Sequence, residues 1–306
     1  MTAARTLVLG EALVDVVHEP DGSVREHPGG SPTNVAVGLA RLGHRVDLAT
    51  RIGTDERGDT IVELVGSEGI TLVDGSRVAA PTSVAEATLD GSGAASYHFD
   101  IHWDLPDSVD TSGVGHVHTG SIAAVLEPGS AKVLDLIRAT REHATVSYDP
   151  NARPSLMGDP AAARERVEAL VALSDVVKAS DEDIAWLYDH APIPEVLRRW
   201  GTLGAVLTVV TRAHEGAVVG LSTSGQLVSV GATMVDVVDT VGAGDSFMSG
   251  LLSGLLDAEL LGDAAARARL RAATLADIQP AVHRALTCAA VTVSRAGANP
   301  PGRHEL

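Results

Sequence analysis

Apolar residues fall in two periods along this 306-residue chain. Short runs of strand length recur, and between them lie stretches with apolar positions three and four apart, the spacing of an amphipathic helix. Residues 6–9 form a first apolar strand ending at Gly10, and 12–17 continue it with Asp15 interrupting the run. Helical spacing over 33–42, a strand over 46–52 and a helix near 58–68 follow. The same reading predicts strands at 114–118, 145–149, 175–178 and 205–211, with helices at 130–142, 161–173 and 182–188. Such alternation predicts an α/β fold with a mostly parallel central sheet and helices on both faces.

Two regions break the rhythm. Residues 16–28 and 82–101 read as short strands; those at 84–89 and 96–99 are joined by Asp90-Gly91-Ser92-Gly93 with no helix between. A hairpin cannot easily join a parallel sheet, so a separate small sheet is expected. It would form a lid over about 11–30 and 82–105, inserted in a single domain spanning 1–306; a plain surface hairpin is the alternative. The second break, 258–280, is rich in Ala, Arg and Asp and reads as an exposed helical insertion with a solvated charged face.

The stretch Asp239-Thr240-Val241-Gly242-Ala243-Gly244-Asp245-Ser246-Phe247 carries the clearest chemistry. Strand-like Met234, Val235, Val237 and Val238 lead into it, and apolar residues at helical spacing follow from Phe247 to Leu256. Gly242 and Gly244 therefore sit at a helix N-terminus, where free amides, a positive dipole end and missing side chains let a phosphate approach. Asp245 would repel that phosphate. Its presence makes chemical sense if it takes the proton of the group that attacks the phosphate; a tight turn with a dipole-favoured Asp is the competing reading. The stretch lacks the third glycine of a dinucleotide fingerprint, since 247 is Phe. No Walker A sequence occurs either, and the only lysines are Lys132 and Lys178.

Composition narrows the partners. A net charge of −17 disfavours nucleic acid and anionic membrane, both polyanions, and favours a small-molecule substrate. The single cysteine, Cys288, lies in an apolar helical run and reads as core. No basic-plus-apolar signal precedes the first strand and no apolar run reaches membrane-spanning length, so a cytoplasmic location is expected.

A second double glycine opens a helix at GGSPTNVAVGLARLG, residues 29–43, with Asn34 in its first turn. Together with DTVGAGDSFMSGLL at 239–252, this stretch resembles the two signatures of the ribokinase-like, or PfkB, carbohydrate kinases. The resemblance extends through GEALVD (10–15), RIGTDERGD (51–59), SYDPNARP (147–154), VVKASDEDIAWL (176–187) and VSRAGA (293–298). It implies a three-layer sandwich with a small β-sheet lid, and the activity of an ATP-dependent sugar kinase.

By resemblance, Asp245 matches the catalytic base, and the amides of Gly242, Ala243 and Gly244 match the anion hole. Asp15, Gly30 and Asn34 match positions that hold sugar hydroxyls; a carboxylate and a carboxamide suit a vicinal diol. A buried structural role for Asp15 stays open. Thr211, Gly216 and Ala289 match the nucleotide side, although the usual glycine of that loop is Ala213 here. Asp239 and Val241 correspond to a monovalent-cation loop, for which potassium is the expected ion. Ser180 and Asp183 stand where the family commonly has the Asn and Glu that organise magnesium through water; Asp183 is one methylene shorter, and Glu182 is the alternative.

The Ser31-Pro32-Thr33 turn lacks a lysine and no Lys/Arg cluster accompanies the sugar motif, which disfavours a phosphorylated substrate. The segment 99–104 is acidic and lacks arginine, which counts against a sugar acid. Residues 149–154 are similar to the fructokinase form of their motif. Arg153 is read as facing phosphate, facing sugar or pairing structurally, and Trp103 as capping the sugar or packing the lid on the core. The expectation is magnesium-dependent transfer from ATP to a primary hydroxyl of a neutral sugar, fructose first. Ribose, 2-keto-3-deoxygluconate and adenosine are alternative substrates, a catalytically silent sugar-binding regulator is the alternative outside catalysis, and the resemblance allows a homodimer through the lid.

Overall fold

The computed structural model describes residues 4–19, 21–89 and 95–306, so the turn expected at 90–93 lies outside the described residues. In chain order, β1 (Arg5–Leu9), β2 (Leu13–His18) and β3 (Val24–Gly29) precede α1 (Ser31–Arg41). Next come β4 (Arg45–Ala49), β5 (Ile52–Gly53), α2 (Glu56–Ser67), β6 (Thr71–Leu72), β7 (Arg77–Val78), β8 (Val84–Leu89) and β9 (Ala95–Asp100). The middle of the chain gives β10 (Val114–Gly120), α3 (Gly129–Thr140), β11 (Thr145–Asp149), α4 (Pro154–Met157), α5 (Pro160–Val171), β12 (Val176–Ser180), α6 (Asp181–Leu187) and α7 (Ile193–Leu203). Then follow β13 (Leu207–Thr211), β14 (Ala217–Leu221), β15 (Gln226–Val230), α8 (Ala243–Asp257), α9 (Ala264–Ala272) and α10 (Leu275–Val293).

The central sheet runs β15-β14-β13-β12-β11-β10-β1-β4-β6, parallel from β13 to β6 and antiparallel at β14 and β15. Strand alternation divides the core in two: Leu7 and Leu9 pack on one face of β1 while Val8 packs on the other. The second sheet, β3-β2-β8-β9, is separate, as the broken rhythm predicts. Only Gly10, Glu11 and Ala12 separate β1 from β2, so the chain steps straight from one sheet into the other.

Two features position a site. Strand order reverses at β1, with β4 and β6 on one side and β10 to β13 on the other, which opens a crevice at the carboxyl ends of β1 and β10. Small residues then let helices close over it. A Cβ on Gly254 of α8 would come within 2.5 Å of Ala281 Cα in α10, and one on Gly38 of α1 would overlap Ser249 of α8.

Two expectations need correction. Residues 234–238 form no strand: the segment joins no ladder, and Met234, Val237 and Val238 are exposed. Its backbone is held through Val238 and Asp239 donating to Val293 O. The 258–280 region is not a wholly solvated insertion either. Leu260, Leu261, Leu270 and Ile278 are buried, and Arg267 of α9 bonds the buried Asp175 at 2.6 Å and the carbonyls of Arg141 and Ala144. The short helix is amphipathic, and one of its cations satisfies a carboxylate that would otherwise be buried alone. Among the described residues no helix is long and apolar enough to cross a membrane.

Candidate active site

The first turns of α1 and α8 meet at one carboxylate. Gly30 caps α1 with φ 104° and Gly242 caps α8 with φ 75°, both in the left-handed region that glycine adopts without strain. Space enforces the same choice: a Cβ at 30 would stand 2.5 Å from Glu11 O, and one at 242 would stand 2.6 Å from Ala298 Cβ. Asp245 Oδ1 accepts from Ser31 Oγ at 2.6 Å, and Oδ2 accepts from Asn34 Nδ2 at 2.8 Å. The carboxylate is buried, and the positive ends of two helix dipoles point at it. The expectation named Asn34 for sugar; here its amide holds Asp245, and Ser31 does the same without having been singled out.

The free amides differ slightly from expectation. The first intrahelical bond of α8 runs from Ser246 N to Gly242 O at 2.8 Å, and Ala243 N donates to Thr240 O at 3.3 Å. Helix geometry therefore leaves the Gly244 and Asp245 amides pointing outward from the first turn, with Gly242 just before them. Ala243 is the weakest member of the proposed anion hole.

A lysine reaches this hole from another element. Lys178, on β12, would stand 3.0 Å from a Cβ placed on Gly244, and its ammonium pairs with Asp149 Oδ2 at 2.9 Å. Both side chains are buried. Burial pulls the Lys178 ammonium down, but Asp149, Asp183 and Asp245 together outweigh it and raise its pKa, so the cation stays charged. Asp149 is pushed up to about 6, by burial first and against the pull of Lys178. A Walker lysine is absent, yet an ammonium still faces the first turn of α8. The available signal was a lysine inside the apolar run of β12, since a buried charge needs a partner.

Carboxylates line the β1 side. Asp15 on β2 has a raised pKa because it is desolvated, with Arg153 and His27 opposing and Asp245 adding to the rise. Arg153 is exposed, and its Nη1 donates to Asn151 O and Oδ1 and to Ala152 O. Glu11, which no motif reading singled out as a site residue, lies in the field of both Arg153 and Asp245, and burial pushes it up to about 7.

Other expected residues are placed as follows. Trp103 matches the core-packing one of its two readings: it is buried in the core, its indole N–H donates to Ala123 O at 3.1 Å, and Gly129 leaves room for the ring. The apolar bulk of the indole outweighs its polar tip. Thr211 ends β13 and Gly216 immediately precedes β14, and Ala213 between them takes φ 43° where glycine would be unstrained. Ala289 is half-buried on α10. Asp183 accepts from Ala152 N at 2.6 Å and Ser180 N at 2.7 Å, closing a capping box on α6, so both oxygens serve the backbone. Glu182 is exposed in the same turn. Asp239 accepts from Val241 N at 3.0 Å and Gly297 N at 2.8 Å, which pins the loop before α8 to the chain after α10, while the Val241 side chain is exposed.

Comparison with known proteins agrees with this geometry. Residues 3–304 match the profile described as pfkB family carbohydrate kinase. The fructokinase of Klebsiella pneumoniae is 33% identical over 301 residues, which cover 95% of this chain and 94% of that protein. A double-mutant fructokinase from Vibrio cholerae O395, solved with fructose, ADP and potassium ion, superposes with a TM-score of 0.79 at 28% identity, covering 97% of this chain and 94% of that one. Aminoimidazole riboside kinase from Salmonella enterica, solved with aminoimidazole riboside and an ATP analogue, gives a TM-score of 0.76 at 25% identity, covering 96% and 95%.

Proposed function

The chain belongs to the pfkB family of carbohydrate kinases and is a sugar phosphotransferase, and on that premise we propose that it transfers the γ-phosphoryl group of ATP to a primary hydroxyl of fructose. The observation that carries this reading is Asp245, buried where two helix N-termini meet and bordered by Lys178. Asp245 takes the proton of the attacking hydroxyl. The Gly242, Gly244 and Asp245 amides and the Lys178 ammonium then meet the charge that develops on the transferring phosphoryl group. Proximity supplies much of the remainder, since the base and the anion hole share one helix turn.

Asp15 and Gly30 border the sugar side, and Thr211, Gly216 and Ala289 the nucleotide side. The small sheet closes over the sugar as a lid, which its direct connection to β1 supports. Magnesium suits this donor set through Glu182, which is exposed, and the unpartnered Oδ1 of Asp149; Asp183 is committed to backbone amides. When bound, the ion neutralises phosphate charge. The loop at Asp239 and Val241 is the proposed potassium site; since the Asp239 carboxylate already binds two amides, backbone carbonyls would be its ligands.

Fructose is favoured by the fructokinase likeness and by the absence of a basic cluster for a second phosphate. A riboside is the second reading, favoured by the likeness to aminoimidazole riboside kinase. An ADP-release assay over fructose, ribose, adenosine, 2-keto-3-deoxygluconate and fructose 6-phosphate tests both. Fructose is expected to give the highest kcat/KM. A tenfold preference for any other acceptor would overturn the fructose assignment.

A further inference from the structure

Most buried or bridging carboxylates around this crevice are saturated. Asp183 binds the amides of Ala152 and Ser180, Asp239 those of Val241 and Gly297, and Asp55 those of Gly58 and Thr82. Glu11 differs. It is 5% exposed, Ser121 bonds its carboxyl group, and its Oε2 has no hydrogen-bond partner among the described residues.

Its backbone is fixed while that atom is left open. The Glu11 carbonyl accepts from Thr33 Oγ1 at 3.0 Å and lies against Gly30, so the start of α1 pins the residue in place. The side chain lies in the field of Arg153 and of Asp245. A further buried polar atom without a partner, Asn151 Nδ2, lies just after the carboxyl end of β11. A buried polar atom left unpaired is costly, and a ligand carrying hydroxyl groups removes the cost. A sugar hydroxyl both donates and accepts, so it can meet such an atom in either protonation state of the carboxyl group.

We propose that Glu11 is a sugar-binding residue that holds a hydroxyl other than the one phosphorylated; this rests on the sugar-kinase reading above. Burial pushes the Glu11 carboxyl up to about 7, so protonated and ionised forms are both populated near neutral pH and the group can donate to or accept from that hydroxyl.

The test uses Glu11→Leu, which fills the volume and removes the unpartnered oxygen together with the Ser121 contact, with Glu11→Ala as a second variant. Sugar affinity is measured by calorimetry without nucleotide, beside KM, kcat and the melting temperature, using the sugar that wild type phosphorylates best and its single-deoxy analogues. Glu11→Leu is expected to melt no lower than wild type yet bind that sugar at least tenfold more weakly, with kcat changed less than threefold. One deoxy analogue should bind wild type and variant equally. Wild-type sugar affinity in Glu11→Leu, whatever its melting temperature, overturns the proposal. Failure of the wild-type protein to phosphorylate any sugar is a different result, and overturns the kinase reading itself.

Discussion

Ser31 Oγ lies 2.6 Å from Asp245 Oδ1 and joins the first turns of α1 and α8 across 214 residues of sequence. Asn34 takes the other oxygen at 2.8 Å, so the carboxylate is held in one orientation before any substrate arrives. Ser31→Ala should lower kcat about tenfold, the worth of one hydrogen bond to a charged group, and leave the sugar KM within twofold. Steady-state kinetics check this; a raised KM at unchanged kcat would assign Ser31 to substrate instead.

Asp245→Asn keeps the shape and the Ser31 contact but cannot take a proton. Turnover should fall by roughly 10²–10⁴-fold while sugar binding by calorimetry survives. Near-normal turnover would remove Asp245 as the base.

Lys178 and Asp149 form a buried pair, so Lys178→Met leaves a buried carboxylate without its cation. A loss of about 3–5 kcal/mol in unfolding free energy is expected, together with loss of turnover. Adding Asp149→Asn should recover most of the stability and none of the turnover. Denaturant melts and ADP release separate the two effects; recovery of both would make Lys178 purely structural.

Trp103 is core, with its indole donating to Ala123 O. Trp103→Ala should cost about 3–5 kcal/mol of stability, while Trp103→Phe should leave the sugar KM unchanged. A KM that rises in Trp103→Phe at wild-type stability would return this residue to the sugar pocket.

His116 and His118 share Ser147 Oγ at 2.9 Å each, inside β10 and β11. Burial is the main cause that pushes both rings down to about 3, helped by charge on His44 at the first and on His116 and Lys178 at the second. From pH 6.5 toward 3 the unfolded chain binds protons at these rings that the folded chain does not, so stability falls on acidification. At pH 5 the loss is about 2 kcal/mol per ring. Proton NMR should find both rings neutral down to acid unfolding; titration of both near 6.5 would refute the assignment.

Much of this was readable in order along the chain. The strand read at 145–149 became β11 with the same bounds, and its polar Thr145, Ser147 and Asp149 are buried against His116, His118 and Lys178 of the neighbouring strands. The segment from Met234 to Val238 misled because strand propensity is realised only in pairing with another strand, and this segment joins none of the sheets among the described residues. For Trp103 the sequence left two readings, capping the sugar or packing the lid on the core, because a residue's type does not say which way its ring faces. Lys178 stood inside a quoted motif, but its place against Gly244 depends on the parallel alignment of β11 with β12 and on where α8 begins.

Local patterns by themselves determined the α/β alternation, the separate small sheet and the two glycine-opened helices that bear Asn34 and Asp245, because periodicity, glycine and capping act within a few residues of each other. Tertiary structure alone decided what those helices do together. Ser31 meets Asp245, Lys178 meets Gly244, and Glu11 keeps an unpartnered oxygen, because contacts between distant segments follow from strand order and helix packing, which no local spacing encodes.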